Sequence, residues 1–308
     1  MMDRANLNMN ALQKQIRALA RDRDALILAH YYQTMDIQMV ADVVGDSFEL
    51  ARQAQNASQS RIVLCGVRFM AESAKLLSPH KTVLLPAPDA GCPMADMVTP
   101  EDVDALRLKH PGAVVMCYVN SSADVKARCD ICCTSSSAVR LARRLPERDI
   151  LFLPDQNLGD YVAKQVPEKN IIPYTGYCPI HHAVRAADVM AARNAHPDAQ
   201  VVVHPECPPE VLAMADIVGS TSELLAHIEK SSHKTFLLGT EVGVLERLRI
   251  TAPDKTVYLL KSGFVCPNMK KTKLSDLLRT LETETEAVEI DPAVADGARI
   301  ALERMVSE

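Results

Sequence analysis

The chain has no tryptophan, seven tyrosines and five phenylalanines in 308 residues, too few rings to build the stacking platforms that bind single-stranded nucleic acid. It lacks a basic excess as well. Its 34 lysines and arginines stand against 39 aspartates and glutamates, a net charge of −5, so no groove that tracks phosphates is expected. No apolar run approaches the roughly 18 residues that span a bilayer. Residues Met1–Asp24 are polar with a helical pattern, not a charged head before an apolar core, so no secretory signal is expected either. These absences predict a soluble, cytoplasmic protein with neither nucleic acid nor membrane as partner. With 48% hydrophobic and 24% charged residues, disordered and fibrous classes are excluded. The length suits about two average domains or several small fused units.

What the chain does have is nine cysteines: Cys65, Cys92, Cys117, Cys129, Cys132, Cys133, Cys178, Cys207 and Cys266. An odd number without a secretory signal argues against a disulfide framework and for reduced thiols, metal ligation or redox chemistry. No pair shows the C-x₂-C…C-x₂-C spacing of a structural zinc site, and the dense run Cys129-x-x-Cys132-Cys133 has no histidine beside it.

An internal repeat sorts them. Three segments align without gaps, beginning at His30, Tyr118 and His204, with Asp42, Asp130 and Asp216 twelve residues on and Ser47, Ser135 and Thr221 five later; the starts lie 88 and 86 residues apart. Each unit then carries two further apolar runs and ends in a Gly-bearing loop whose single cysteine precedes proline. These are Cys92, Cys178 and Cys266, separated by 86 and 88 residues. The other six have no counterpart in all three units, and the reading for them is a buried, apolar thiol.

Short runs rich in Val, Ile and Leu, such as Ala25–Ala29, Ala113–Tyr118 and Gln200–His204, read as buried parallel strands, with helical patterns such as Ala71–Leu77 and His181–Arg193 between them. The alternation predicts an α/β protein of three homologous three-layer α/β/α units with parallel sheets around a pseudo-three-fold axis, each sheet of about three strands. The units are residues 1–98, with a helix over Asn10–Arg21 and Cys92; 99–180, with Cys178; and 181–308, with Cys266 and two terminal helices at about Lys273–Glu284 and Pro292–Val306.

Loops at the carboxyl ends of parallel strands are where such proteins bind ligands. Three-fold repetition would turn three sets of groups toward one cavity. The first set is His30 with Tyr32, Tyr118 with Asn120, and His204 with Glu206. The second is Ser47, Ser135 and Thr221, each opening a helical pattern, which suits anion binding at helix N-termini. The third is the cysteine trio. Three thiolates with no fourth equivalent fit one [4Fe–4S] cluster with an open iron. Zinc also suits soft thiolates, and His181, three residues after Cys178, is a rival ligand or a neighbouring group. Anion-binding groups beside an open metal position imply dehydration or condensation of a polycarboxylate, with His, Tyr and Glu moving protons. A cluster-bearing hydro-lyase and a zinc-stapled scaffold without activity stand as the alternatives.

The motifs Ile27-Leu-Ala-His-Tyr-Tyr-Gln33, Ala90-Gly-Cys-Pro-Met-Ala-Asp-Met97, Cys132-Cys-Thr-Ser-Ser-Ser137, Leu153-Pro-Asp-Gln-Asn-Leu-Gly159, His204-Pro-Glu-Cys-Pro-Pro-Glu210, Gly239-Thr-Glu-Val-Gly243 and Cys266-Pro-Asn-Met-Lys270, in this order, resemble the quinolinate synthases of NAD biosynthesis over nearly the whole chain. The resemblance implies a triangle of three α/β/α domains around a [4Fe–4S] cluster. It also implies a reaction joining iminosuccinate to dihydroxyacetone phosphate to give quinolinate, phosphate and water. Cys92, Cys178 and Cys266 fall on its cluster-ligand positions. His30, Ser47, Tyr118, Asn120, Ser135, His204, Glu206 and Thr221 fall on substrate-binding positions, and Tyr32 and His181 on further active-site positions. Tyr32, His181, His204 and Glu206 are thus the expected catalytic residues. The family pathway adds a functional link to an aspartate-oxidising enzyme as the source of iminosuccinate. One departure is Tyr31, where the family commonly has Asn; another is the absence of the extra C-terminal cysteine cluster that some members carry.

Overall fold

Short β-branched runs bounded by helical segments can bury both faces only in a covered parallel sheet, and a computed structural model, which describes residues 9–307, contains three of them. In the first, β1 (Ala25–His30), β2 (Val43–Gly45), β3 (Arg61–Cys65) and β4 (Thr82–Leu84) stand in the order β2-β1-β3-β4. The second, β5 (Val114–Tyr118), β6 (Ile131–Cys133), β7 (Asp149–Leu153) and β8 (Asn170–Pro173), has the order β6-β5-β7-β8. The third, β9 (Gln200–Val203), β10 (Ile217–Val218), β11 (Thr235–Gly239) and β12 (Thr256–Leu259), has the order β10-β9-β11-β12. All pairings within these sheets are parallel. The carboxyl ends of the strands in each sheet therefore lie together. The architecture is the α/β arrangement of three α/β/α units expected from the repeat.

Each sheet has four strands where about three were expected. The extra ones, β2, β6 and β10, are two or three residues long, too short to show a period. Each follows at once the repeated aspartate, which explains that residue. Asp42, Asp130 and Asp216 accept, at Oδ2, the backbone N–H of Ile27, Val115 and Val201 at 2.7–2.8 Å. Their own N–H groups return to the carbonyls of the same three residues. Arg17, Arg107 and Arg193, from the helix before each unit, pair with the three carboxylates. Lys81, Lys169 and Lys255 repeat in the same way just before β4, β8 and β12. Their ammonium groups bind carbonyls at and just past the helix C-termini, at Ala54 and Ala57, Leu145 and Glu147, and Ser231 and His233, as lysines near helix ends do.

The helix expected over His181–Arg193 is two, Pro179–His182 and Ala186–Ala195. Arg185 is extended and its N–H donates to Asp188 Oδ2 at 2.9 Å, so this carboxylate holds the N-cap residue and a new helix starts after His181. The terminal helices Leu274–Thr283 and Pro292–Val306 pack, respectively, on helix Ala11–Asp22 beside the first sheet and on β6 with helix Ala123–Lys126 of the second. Among the described residues no helix is long and apolar enough to cross a membrane.

Candidate active site

Where the strand-end loops of the three sheets meet, one cavity is lined by all thirteen residues singled out above: His30, Tyr32, Ser47, Cys92, Tyr118, Asn120, Ser135, Cys178, His181, His204, Glu206, Thr221 and Cys266. Convergence of the equivalent loops is thus a property of the fold. Ser47 and Thr221 are the first residues of their helices, and Ser135 lies two residues before the N-cap of helix Ala138–Arg144. Asp46 and Ser220 cap two of these helices and occupy part of the N-terminal N–H groups. The exposed N-termini expected for anions are in this respect partly closed.

The histidines that open the first and third repeats are set identically. His30 Nδ1 accepts the N–H of Tyr32 at 3.1 Å, and His204 Nδ1 accepts the N–H of Glu206 at 3.3 Å. A neutral imidazole whose Nδ1 accepts must carry its proton on Nε2. Burial keeps both neutral, moving His30 down to about 3, with Lys270 and His204 adding to the effect, and His204 down to about 4.

Glu206 is the hub. The Tyr118 hydroxyl donates to its Oε1 at 2.7 Å, His181 Nδ1 stands 2.8 Å from its Oε2, and His204 Nδ1 lies 3.9 Å from the same oxygen. Burial raises a carboxyl, but the neighbouring His204 and His181 and the two donated hydrogen bonds outweigh it and hold Glu206 below the usual carboxylate range. A carboxylate only accepts, so Nδ1 of His181 bears a proton. His181 Nε2 lies within hydrogen-bond reach of Thr240 Oγ1 at 3.0 Å, and that hydroxyl lies 2.9 Å from the Tyr32 hydroxyl. Tyr32–Thr240–His181–Glu206 is therefore a continuous hydrogen-bond chain across two units. Burial and Glu206 push both Tyr32 and Tyr118 well above their ordinary value, which keeps them protonated donors. Gly243 permits this approach: a Cβ there would lie 2.4 Å from the Tyr31 carbonyl and 2.9 Å from Tyr32 Cα. Asn120 Oδ1 is buried without a hydrogen-bond partner. Such an acceptor on the cavity wall can take a donor from within the cavity.

The cysteines divide as the repeat divided them. Cys65, Cys117, Cys129, Cys132, Cys133 and Cys207 are buried, whereas Cys92, Cys178 and Cys266 are partly accessible and face the cavity. Burial pushes the Cys92 thiol up to about 12, Cys178 well above its ordinary value and Cys266 up. Backbone N–H groups two or three residues on work the other way: those of Ala95 and Met94 on Cys92, His181 on Cys178, and Met269 and Asn268 on Cys266. Thiolates here need a cation, and sulfurs met by backbone N–H groups suit a metal centre. Among the described residues, the metal-ligating donor atoms that lie within 4.8 Å of one another belong to Cys178, His181 and Glu206. Cys92 and Cys266 stand outside that group, although both line the same cavity.

Motif and spacing arguments miss Thr240, Asn157, Asp155, Glu241 and Lys270. Asn157 Nδ2 donates to the Glu206 carbonyl at 2.9 Å. All five lie inside motifs quoted above, yet nothing in their spacing assigns them a partner.

Fold and site together define an α/β enzyme whose strand-end loops enclose thiols and proton carriers. A family model described as quinolinate synthetase A protein matches residues 14–307. A quinolinate synthase of Caldicellulosiruptor bescii is 49% identical over 300 residues, covering 97% of this chain and 99% of the relative. That of Caldicellulosiruptor saccharolyticus is 48% identical with the same coverage, and that of Alkaliphilus metalliredigens 46%. The chain belongs to the quinolinate synthetase A family.

Proposed function

We propose that this chain joins iminosuccinate to dihydroxyacetone phosphate, releasing quinolinate, phosphate and water, as a cytoplasmic step of NAD biosynthesis fed by an aspartate-oxidising enzyme. Cys92, Cys178 and Cys266 would hold one [4Fe–4S] cluster. Such a cluster supplies an iron without a protein ligand, whose Lewis acidity lets hydroxide leave near neutral pH.

The chain's own residues do the rest. The Nε2–H groups of His30 and His204 and the hydroxyls of Ser47, Ser135 and Thr221 hold anionic substrate groups, and Asn120 Oδ1 accepts from a substrate donor. Glu206 receives protons, and the relay through His181 and Thr240 returns them by way of Tyr32. Tyr118 keeps Glu206 oriented. The observation that carries the reading is that three thiols one repeat apart share a cavity with this hydrogen-bond chain.

Anaerobic protein given both substrates should form quinolinate. Cluster-loaded protein that forms none would overturn the reading, and water loss from a single hydroxy-acid would make it a hydro-lyase instead. The approach of Cys178, His181 and Glu206 favours a second reading, a single zinc ion held by those three. Colour and metal content separate the two: brown with iron and sulfide, or colourless with one zinc that survives replacement of Cys92 and Cys266.

A further inference from the structure

Asp155 and Glu241 occupy the same place in two units. Each is the second residue past its strand, after β7 and β11, each is fully buried, and each is the N-cap of the following helix. Each also divides its two oxygens in the same way. One caps the helix: Asp155 Oδ1 accepts from Leu158 N at 2.8 Å, and Glu241 Oε2 from Gly243 N at 2.7 Å. The other reaches the cysteine of its own unit: Asp155 Oδ2 accepts the N–H of Cys178 at 3.2 Å, and Glu241 Oε1 the N–H of Cys266 at 3.1 Å.

In the first unit the equivalent residue, two past β3, is Val67. No carboxylate can reach Cys92 from there. The loop is nonetheless docked in all three units by one backbone bond, from Arg68 N to Ala90 O, Gln156 N to Gly176 O and Val242 N to Phe264 O, at 2.7–2.8 Å. Docking the loop therefore does not require the carboxylates. Burying two carboxyl groups is costly, so their use is specific to the cysteines they touch. Glu241 extends further, because Lys270 Nζ lies 3.0 Å from its Oε1 and also donates to the Tyr32 carbonyl, tying the Cys266 loop to the loop that carries Tyr32.

We propose that Asp155 and Glu241 are positioning residues for the ligand thiolates of Cys178 and Cys266, and that Cys92, without such an anchor, is the loosely held ligand. This rests on the reading that the three cysteines bind a cluster. Partners behind first ligands orient them and tune the metal, and their loss typically lowers metal retention by about 10–100-fold.

The test uses anaerobically reconstituted full-length protein, wild type beside Asp155→Asn and Glu241→Gln. Both substitutions keep an oxygen for the helix cap and remove the acceptor for the cysteine N–H. Both variants should take up the cluster, lose iron to a chelator roughly 10–100-fold faster than wild type, and show altered electron paramagnetic resonance of the reduced cluster. Glu241→Gln should in addition raise the reduction potential, because it removes a negative charge and leaves Lys270 unbalanced. The metal-free variants should remain folded, with at most a modest drop in melting temperature. Iron loss, spectrum and potential matching a cluster-bearing wild type would overturn the proposal. A wild type that binds no cluster would sink the underlying reading instead. If Asp155→Asn does not fold, Glu241→Gln decides the matter alone.

Discussion

The two ends of the three sheets treat the repeat differently. At the amino ends the units carry identical residues in identical roles: Arg17, Arg107 and Arg193 on Asp42, Asp130 and Asp216, with Lys81, Lys169 and Lys255 on helix-end carbonyls. At the carboxyl ends the equivalent positions diverge into His30, Tyr118 and His204, and into Tyr32, Asn120 and Glu206. Three separate sheets each face the same backbone problem, so one solution serves three times. One shared cavity needs a base, an acid and an acceptor at different places, so copies of one residue would not serve. The cysteines are the exception that fits the rule, since the proposed cluster would take three like ligands.

The sharpest way to break this contrast is at the cavity end. Cys178→Ser should abolish the iron–sulfur absorbance and quinolinate formation; a normal cluster in that variant would remove Cys178 from the ligand set. Glu206→Gln, with its cluster retained, should lower turnover by about 10²–10⁴-fold, the range for losing a proton carrier. Full turnover would end its proposed role. Thr240→Val interrupts the chain between Tyr32 and His181 without removing either. The loss of one hydrogen bond of about 1 kcal/mol should lower kcat on the order of fivefold and shift its pH profile, while KM holds.

Changes at the amino ends should do the reverse. Asp130→Ala leaves the Val115 N–H and Arg107 without their partner and should cost about 1–3 kcal/mol of stability by denaturant unfolding, with turnover per folded molecule unchanged. A further effect lies in pH. His30 and His204 are held down to about 3 and about 4, whereas the unfolded chain protonates histidine near 6.5. Stability of the metal-free protein should therefore be full above about pH 6.5 and fall as pH drops toward 4, because only the unfolded state gains those protons. Glu206, depressed in the folded state, keeps its stabilising charge through that window. His204→Gln should flatten the fall; an unchanged slope would mean the buried imidazole is not its source.

Much of this architecture is legible in the order of residues. Nine of the twelve strands lie on the apolar runs, and the division of the cysteines into Cys92, Cys178 and Cys266 against six buried thiols follows from the 86–88-residue period. The edge strands β2, β6 and β10 are not legible there, because a two- or three-residue strand is defined by pairing, not by pattern. The break at Arg185 escapes a periodicity argument because the apolar pattern continues across it while the local bond from the Arg185 N–H to the Asp188 carboxylate overrides it. Thr240 escapes for a different reason. Its chemistry is ordinary, and its role exists only because β11 delivers it between Tyr32 and His181.

Which residues are equivalent is written in the sequence alone. Periodicity, spacing and residue type are local or translational properties and survive in one dimension. What each residue touches is set only when the chain folds. The proton chain joins Tyr32 of the first unit to Thr240, His181 and Glu206, residues up to 208 positions away, and Asp155 and Glu241 reach Cys178 and Cys266 by the geometry of strand-end loops. Hydrogen bonds act over about 3 Å, a distance the order of residues does not contain.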